Sequence, residues 1–303
     1  MTEVETAVNT EAPTDQRLAE ILEKVNESEI SSTRRVISEI IRVINDSGST
    51  AKDLKEIIEI DPPLTAKVLK RANSAYYARP NRISEIQQAI IWIGFDALKE
   101  LALNQKVWEL FEEHRETRRY SRLALWKHSV AAALLAKHIY RREYGRRGEN
   151  AYAAGLLHNI GIIIEDQFLS EEFATVLDRM EDTDKELPTI EREVFGFDHA
   201  DIGRIMAEEW SFPAELPDAI GYHHNPDAAG TEYQRITKTL YIADVVCHEM
   251  NITYLDGEVH NGRFYRRYMQ ELDISKKALR YIANEVEEII EEMDGQGWFR
   301  DGA

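Results

Sequence analysis

Residues 122–140, RLALWKHSVAAALLAKHIY, and 151–164, AYAAGLLHNIGIII, decide the fold class. Both are rich in Ala, Leu and Ile, so they read as buried, closely packed helices. No run of strict apolar–polar alternation anywhere in the chain marks a half-buried strand, and no 20–50-residue repeat is visible. Gly and Pro are scarce, at 15 and 8 of 303 residues, so long stretches can stay helical.

Helical punctuation is clear on the N-terminal side. Ser31 or Ser32 is positioned to cap a helix through Val36, Ile37, Ile40, Ile41 and Ile44 that ends near Gly48. Thr50 and Asp53 form a capping-box pattern ahead of Leu54, Ile57 and Ile58. Asp61-Pro62 combines an N-cap with proline at the first helical position, and Ser84 with Gln87 starts a helix running to Gly94. At the other end, Ser275 caps a helix whose stripe of Leu279, Ile282, Val286, Ile289, Ile290 and Met293 faces inward, with Gly295 as its stop. Helices of this length with short connections predict a compact all-α bundle.

Hydrophobic residues make up 43% and charged residues 30%, a globular balance that excludes a disordered chain. The lone Cys247 excludes an internal disulfide framework and a cysteine-rich zinc site. The acidic, polar first residues do not resemble a signal peptide and no apolar run is long enough to span a bilayer, so a cytoplasmic protein without a membrane partner is expected. A net charge of −18 repels phosphates and argues against nucleic acid as a partner. One stretch departs from that average: residues 115–147 hold ten Lys or Arg against Glu116 and Glu143, +8 locally against −26 for the remainder. Such a stretch reads as solvated helix faces; Arg118, Arg119, Arg122, Arg141 and Arg142 are the alternative, a docking patch for an anionic ligand or acidic partner.

The chain lacks a GxxxxGK[ST] loop, a GxGxxG turn, a GxSxG elbow and an HExxH pair. What remains is a set of histidines: His128, His158, His199, the pair His223-His224, and the carboxylate Asp244. Each has a plain reading. His128 and His158 sit among apolar neighbours as core histidines with one hydrogen bond. His199 precedes a helix, and His223-His224 precede a turn. Asp244, in LYIADVV, is harder to dismiss, because a carboxylate on an apolar helix must be paired, hydrogen-bonded or protonated. Imidazoles with one carboxylate suit a transition metal: Fe, Zn, Mn or Ni.

LWKHS, AGLLHNIG, FGFDHADIG, AIGYHHNP and YIADVV, in this order, resemble the motifs of the HD superfamily of metal-dependent phosphohydrolases. With DPPLTAKVLKRANSAYY and ISEIQQAIIWIGFDALKELAL ahead of them, the chain is most similar, over about residues 30 to 250, to the HDOD family, relatives of the HD-GYP phosphodiesterases. The resemblance implies an all-helical bacterial signal-transduction module without an established reaction. It also implies His128, His158, His199, His223, His224 and Asp244 as metal ligands. Three departures bear on catalysis: the Asp of the HD pair is Asn159, the HD-GYP glutamate one turn before the first histidine is Ala124, and NPDAAG after His224 lacks the GYP signature. A neutral amide cannot bridge two metals as a carboxylate does, so Asn159 is a weak ligand or none, and hydrolysis is disfavoured.

The expected organisation is a disordered acidic tail over 1–16, an N-terminal helical part over 17–118, an HD-like part over 119–255 and a helical extension over 256–303. The expected function is a non-catalytic regulatory module that recognises a signalling protein or small ligand, with one transition metal in its altered site. The alternatives are a metal-dependent phosphohydrolase acting on a nucleotide or cyclic dinucleotide, and a metal or redox sensor. A homodimer through the C-terminal helix is a further expected contact.

Overall fold

Thr50 and Asp53 close a reciprocal capping box at the start of a helix, and Asp61 accepts a hydrogen bond from the Leu64 N–H ahead of the Pro62-initiated helix that follows. These are two of the helix starts legible in sequence, and in the computed structural model they open α3 (Ala51–Ile60) and α4 (Pro62–Ala72). The structure describes residues 11–74, 77, 82–112, 117, 119–257, 260 and 262–299. Around that pair lie α1 (Glu11–Glu27), α2 (Ile30–Asn45), α5 (Ile86–Ile93) and α6 (Phe95–Trp108). The middle of the chain forms α7 (Arg122–Glu143), α8 (Glu149–Leu157), α9 (Ile160–Phe168), α10 (Ser170–Arg179), α11 (Leu187–Phe195), α12 (His199–Glu209), α13 (Glu215–Gly221) and α14 (Gln234–Glu249). α15 (Tyr265–Glu271) and α16 (Lys276–Gly295) complete an all-α fold. Among the described residues the only β pairing is a single bridge, Tyr120 with Leu255.

α7 is the central post. The run from His128 to Ala133 is buried without a break, which requires neighbours on every side, and α8, α14 and α16 supply them. The close approach of α8 depends on Gly155: a Cβ there would stand 2.5 Å from the Ala133 Cα. Gly161 plays the same part between α9 and α12, where a Cβ would stand 2.0 Å from the His199 carbonyl oxygen. These two contacts set the spacing of His128, His158 and His199. The N-terminal helices join this body through α2 and α6, which both pack on α8. Arg122, in the first turn of α7, is buried and bonded to Asp166 of α9 at 2.7 Å (Nε–Oδ2), locking those two helices together.

Several helix ends differ from expectation. α1 begins at Glu11, inside the segment expected as a tail, and residues 1–10 lie outside the described residues. Ser31 and Ser32 are not caps. Their hydroxyls donate to the Ser28 and Glu29 carbonyls, because the helix starts earlier, at Ile30. α5 starts after Glu85, while the Ser84 N–H is taken by the Gln88 side chain. α16 runs through Gly295, and the residue in the left-handed region is Gly297, at φ 77°. The Ser275 cap is present, and Leu279, Ile282, Val286, Ile290 and Met293 are buried on the side where α16 meets α7. No helix among the described residues is long and apolar enough to cross a membrane.

Candidate metal centre

Five helices deliver polar side chains to one buried region. His128 comes from the second turn of α7, His158 from the break between α8 and α9, and His199 from the first residue of α12. His223 and His224 follow α13, and Asp244 lies on α14. All six sequence-predicted ligands converge. The rings run as a chain: His128–His158 centroids are 5.4 Å apart, His158–His223 5.0 Å, His199–His223 5.4 Å and His199–His224 4.9 Å. Two residues not predicted join them. His248, one turn after Asp244, places Nε2 at 3.8 Å from Asp244 Oδ1, and His260 places Nε2 at 3.1 Å from Asp244 Oδ2. Seven of the nine histidines in the chain therefore occupy one cluster, too many to be coincidental core residues.

The hydrogen bonds orient the rings. Nδ1 of His128, His158 and His223 faces the carbonyl oxygens of Ile252 (2.8 Å), Gly155 (2.7 Å) and Ile220 (2.6 Å). A carbonyl can only accept, so each Nδ1 carries the proton and each Nε2 lone pair points inward. Nε2 of His158 and of His223 is buried there with no hydrogen-bond partner. In a dry interior such an orphaned acceptor costs about 1–3 kcal/mol unless something else takes it up. His199 is held differently: Glu191 Oε2 accepts from both its Nδ1–H (2.7 Å) and its main-chain N–H (3.1 Å). Glu191 lies beside Glu165, whose carboxyl is pushed well above the usual range by burial and by the charge of Glu191. A carboxylate that orients a ligating imidazole is a recurrent outer partner in metal sites.

Burial also sets protonation. It drives His158 down to about 3 and His248 to about 4, and takes His223 and His224 well below the ordinary imidazole value. Burial alone would raise Asp244, but its close contacts with His128 and His260 outweigh that and hold the carboxyl well below the usual range. Neutral imidazoles around an ionised carboxylate are the protonation states that metal ligands need.

The spacings fit a metal ion. Two cis donors at bond lengths of ~2.1 Å lie about 3.0 Å apart on an octahedral ion and about 3.4 Å apart on a tetrahedral one. His128 Nε2 to Asp244 Oδ1 is 3.0 Å, His158 Nε2 to the same oxygen 3.9 Å, and His199 Nε2 to His224 Nε2 2.9 Å. Among the described residues two donor triads stand out: His199, His223 and His224, and His128, Asp244 and His248. His158 lies between them, its ring against His128 on one side and His223 on the other. Asn159 is buried, and its Oδ1 has no hydrogen-bond partner.

Several cations of the basic stretch, read as solvated helix faces with a docking patch as the alternative, are ion-paired. Arg119 pairs with Glu181, Arg122 with Asp166, Lys127 with Asp294, Lys137 with Glu100 and Arg142 with Glu285. The acids that make the rest of the chain so negative supply these partners. Arg141 is exposed, and Arg118 lies outside the described residues.

Comparison with known proteins agrees with this geometry. The HDOD domain family matches residues 30–226. The crystal structure of an HDOD domain protein of unknown function from Geobacter sulfurreducens is 25% identical, covers 93% of this chain and 97% of that one, and superposes with a TM-score of 0.73. A provisionally named phosphohydrolase from Shewanella amazonensis SB2B is 25% identical over 93% of this chain and 96% of that one, with a TM-score of 0.67. An uncharacterized protein of Treponema pallidum (strain Nichols) is 24% identical over 259 residues, 84% of this chain. The chain spans about half (48%) of the length of that relative.

Proposed function

The chain belongs to the HDOD domain family, and we propose that it is a regulatory, signal-transducing module that holds a divalent transition metal in its histidine cage and acts by protein recognition, not by hydrolysis. The observation that carries the metal is the pair of buried Nε2 lone pairs on His158 and His223, each turned inward by an Nδ1–carbonyl bond and left without a partner. His128, His158 and Asp244, with His248, would hold the ion, which as a Lewis acid could polarise a bound oxygen. Activating a water for phosphoester attack between two ions needs bridging anions. Here the HD carboxylate is an amide, Asn159, and Asp244 is the only acid in either donor triad. Recognition of a partner draws support from the N-terminal helices: Ile60, Ile91 and Trp92, on the mutually packed α3 and α5, leave large apolar side chains in water.

The test is metal analysis of tag-free protein purified without chelator, beside a phosphoester panel with Mn, Mg, Fe and Zn. We expect about one equivalent of a transition metal, its loss in a folded His158→Ala variant, and no turnover. Asn159→Asp should retain metal at least as tightly as the parent. Metal-free protein removes the cage, and turnover that disappears in His158→Ala establishes an enzyme instead.

A further inference from the structure

Beside α14 and α15 the histidine cluster reaches a cleft of about 760 Å³. His248 and His260 form part of its wall, and Arg263, Arg266 and Lys276 line it against one acid among the described residues, Glu249. In a chain of net charge −18 this is a local reversal of sign. It differs in kind from the basic stretch on α7, whose cations are largely consumed by ion pairs. Arg266 and Lys276 are exposed, and neither makes an ion pair among the described residues. The volume lies in the range of small-molecule pockets, about 300–1,000 Å³, and suits a nucleotide-sized ligand better than a protein surface.

We propose that this cleft is an effector site for a small phosphorylated molecule, with Arg266 and Lys276 holding the phosphate and His248 and His260 linking occupancy to Asp244. The linkage rests on the metal-cage reading; the anion site itself does not. His248 and His260 touch both regions: their Nε2 atoms stand 3.8 Å and 3.1 Å from the Asp244 oxygens, and both rings line the cleft. An anion beside these rings changes the field at Asp244, and coupling of this kind is reciprocal: metal in the cage must alter anion affinity by the same factor that the anion alters metal affinity. The C-terminal segment, lying beyond the family match at residue 226, thus supplies both the cations and His260.

The experiment titrates inorganic pyrophosphate and, separately, adenosine monophosphate into the full chain as purified, by calorimetry. At least one probe should bind, and Arg266→Ala/Lys276→Ala should weaken it about tenfold or more, as expected for two charge-assisted contacts. Arg141→Ala, an exposed cation outside the cleft, should leave affinity unchanged, and metal content and thermal midpoint should not move in any variant. Binding of neither probe, or a double variant that binds like the parent, overturns the site. Equal anion affinity before and after metal removal overturns the linkage. Metal-free protein that binds pyrophosphate through Arg266 and Lys276 keeps the cleft and removes the cage; metal-loaded protein that binds neither probe removes the cleft alone.

Discussion

Gly161→Ala should damage the metal centre without altering any group that could touch a metal. The new Cβ would stand 2.0 Å from the His199 carbonyl oxygen, 2.7 Å from its carbon and 2.8 Å from its Cα. Ordinary contact begins near 3.4 Å, so α9 and α12 must separate by about 1.4 Å. The obstacle is helix backbone, which cannot swing aside as a side chain can. Overpacking of this kind costs about 1–3 kcal/mol. His199 is held by Glu191 at 2.7 Å and faces His224 Nε2 at 2.9 Å, and a displacement of that size breaks at least one of these arrangements. His158 lies directly ahead of α9, so the same shift moves a proposed ligand of the ion, and displacing such a group lowers metal affinity about 10–100-fold. Urea unfolding measures the first effect, and competition against a chelator of known affinity measures the second. Gly295→Ala is the control, since a Cβ there meets nothing within 4 Å. A Gly161→Ala protein with the parent's unfolding midpoint and metal affinity would refute both the close approach and its role in placing His199.

Asp166→Asn leaves the guanidinium of Arg122 buried without its counter-charge, and should lower stability by about 3–5 kcal/mol in urea unfolding; a loss below about 1 kcal/mol would mean that solvent reaches Arg122. Metal-free protein should be acid-labile. His158 and His248 are depressed to about 3 and about 4, so between those values and the unfolded imidazole value near 6.5 the unfolded chain binds more protons than the folded one. Stability then rises with pH across that window and is lost as pH falls through it, on the order of 3 kcal/mol from His248 alone. Thermal midpoints of chelator-treated protein between pH 7 and pH 4 measure this, and a flat profile contradicts the buried, neutral imidazoles.

The class of fold was legible in the sequence because it rests on local signals, and the six convergent residues were legible through the motifs that the chain shares with the HDOD family. The Ala-rich runs around His128 and His158 announce close packing, and Thr50, Asp61 and Ser275 announce helix starts by chemistry confined to a few residues. Ser31 misled because its helix starts one residue earlier and its hydroxyl donates back to the Ser28 carbonyl, and Ser84 because the helix starts after Glu85 while the Ser84 main-chain N–H is taken by the Gln88 side chain. His248 was readable: at four residues from Asp244 on one helix, the two share a face. His260 was not, for it comes from an irregular segment with no periodicity to place it. Glu191 and Glu165 were also hidden. They look like ordinary helix glutamates until α9, α11 and α12 come together and bury them beside His199. Which cations of the basic stretch are ion-paired was hidden for a related reason, since that depends on acids such as Glu181, Asp166 and Glu285 that are distant in sequence.

Charge decides how many ions such a cage favours. Both donor triads are largely buried, with His224 and His248 partly exposed, so each divalent ion brought in must be offset locally, at a penalty of several kcal/mol per uncompensated charge. The His128–Asp244–His248 triad holds a carboxylate, which offsets part of the charge of a divalent ion. The His199–His223–His224 triad offers only neutral imidazoles, with the charge of Glu191 one ring away behind His199. A first ion is therefore best held on the Asp244 side, within reach of His158. A second would face the first across His158 with no anion between them, since the residue that follows His158 is an amide. The substitution at Asn159 thus separates two properties that an aspartate would join: it leaves the imidazoles able to hold one ion and takes away the charge that would make a second ion, and a water activated between the pair, affordable.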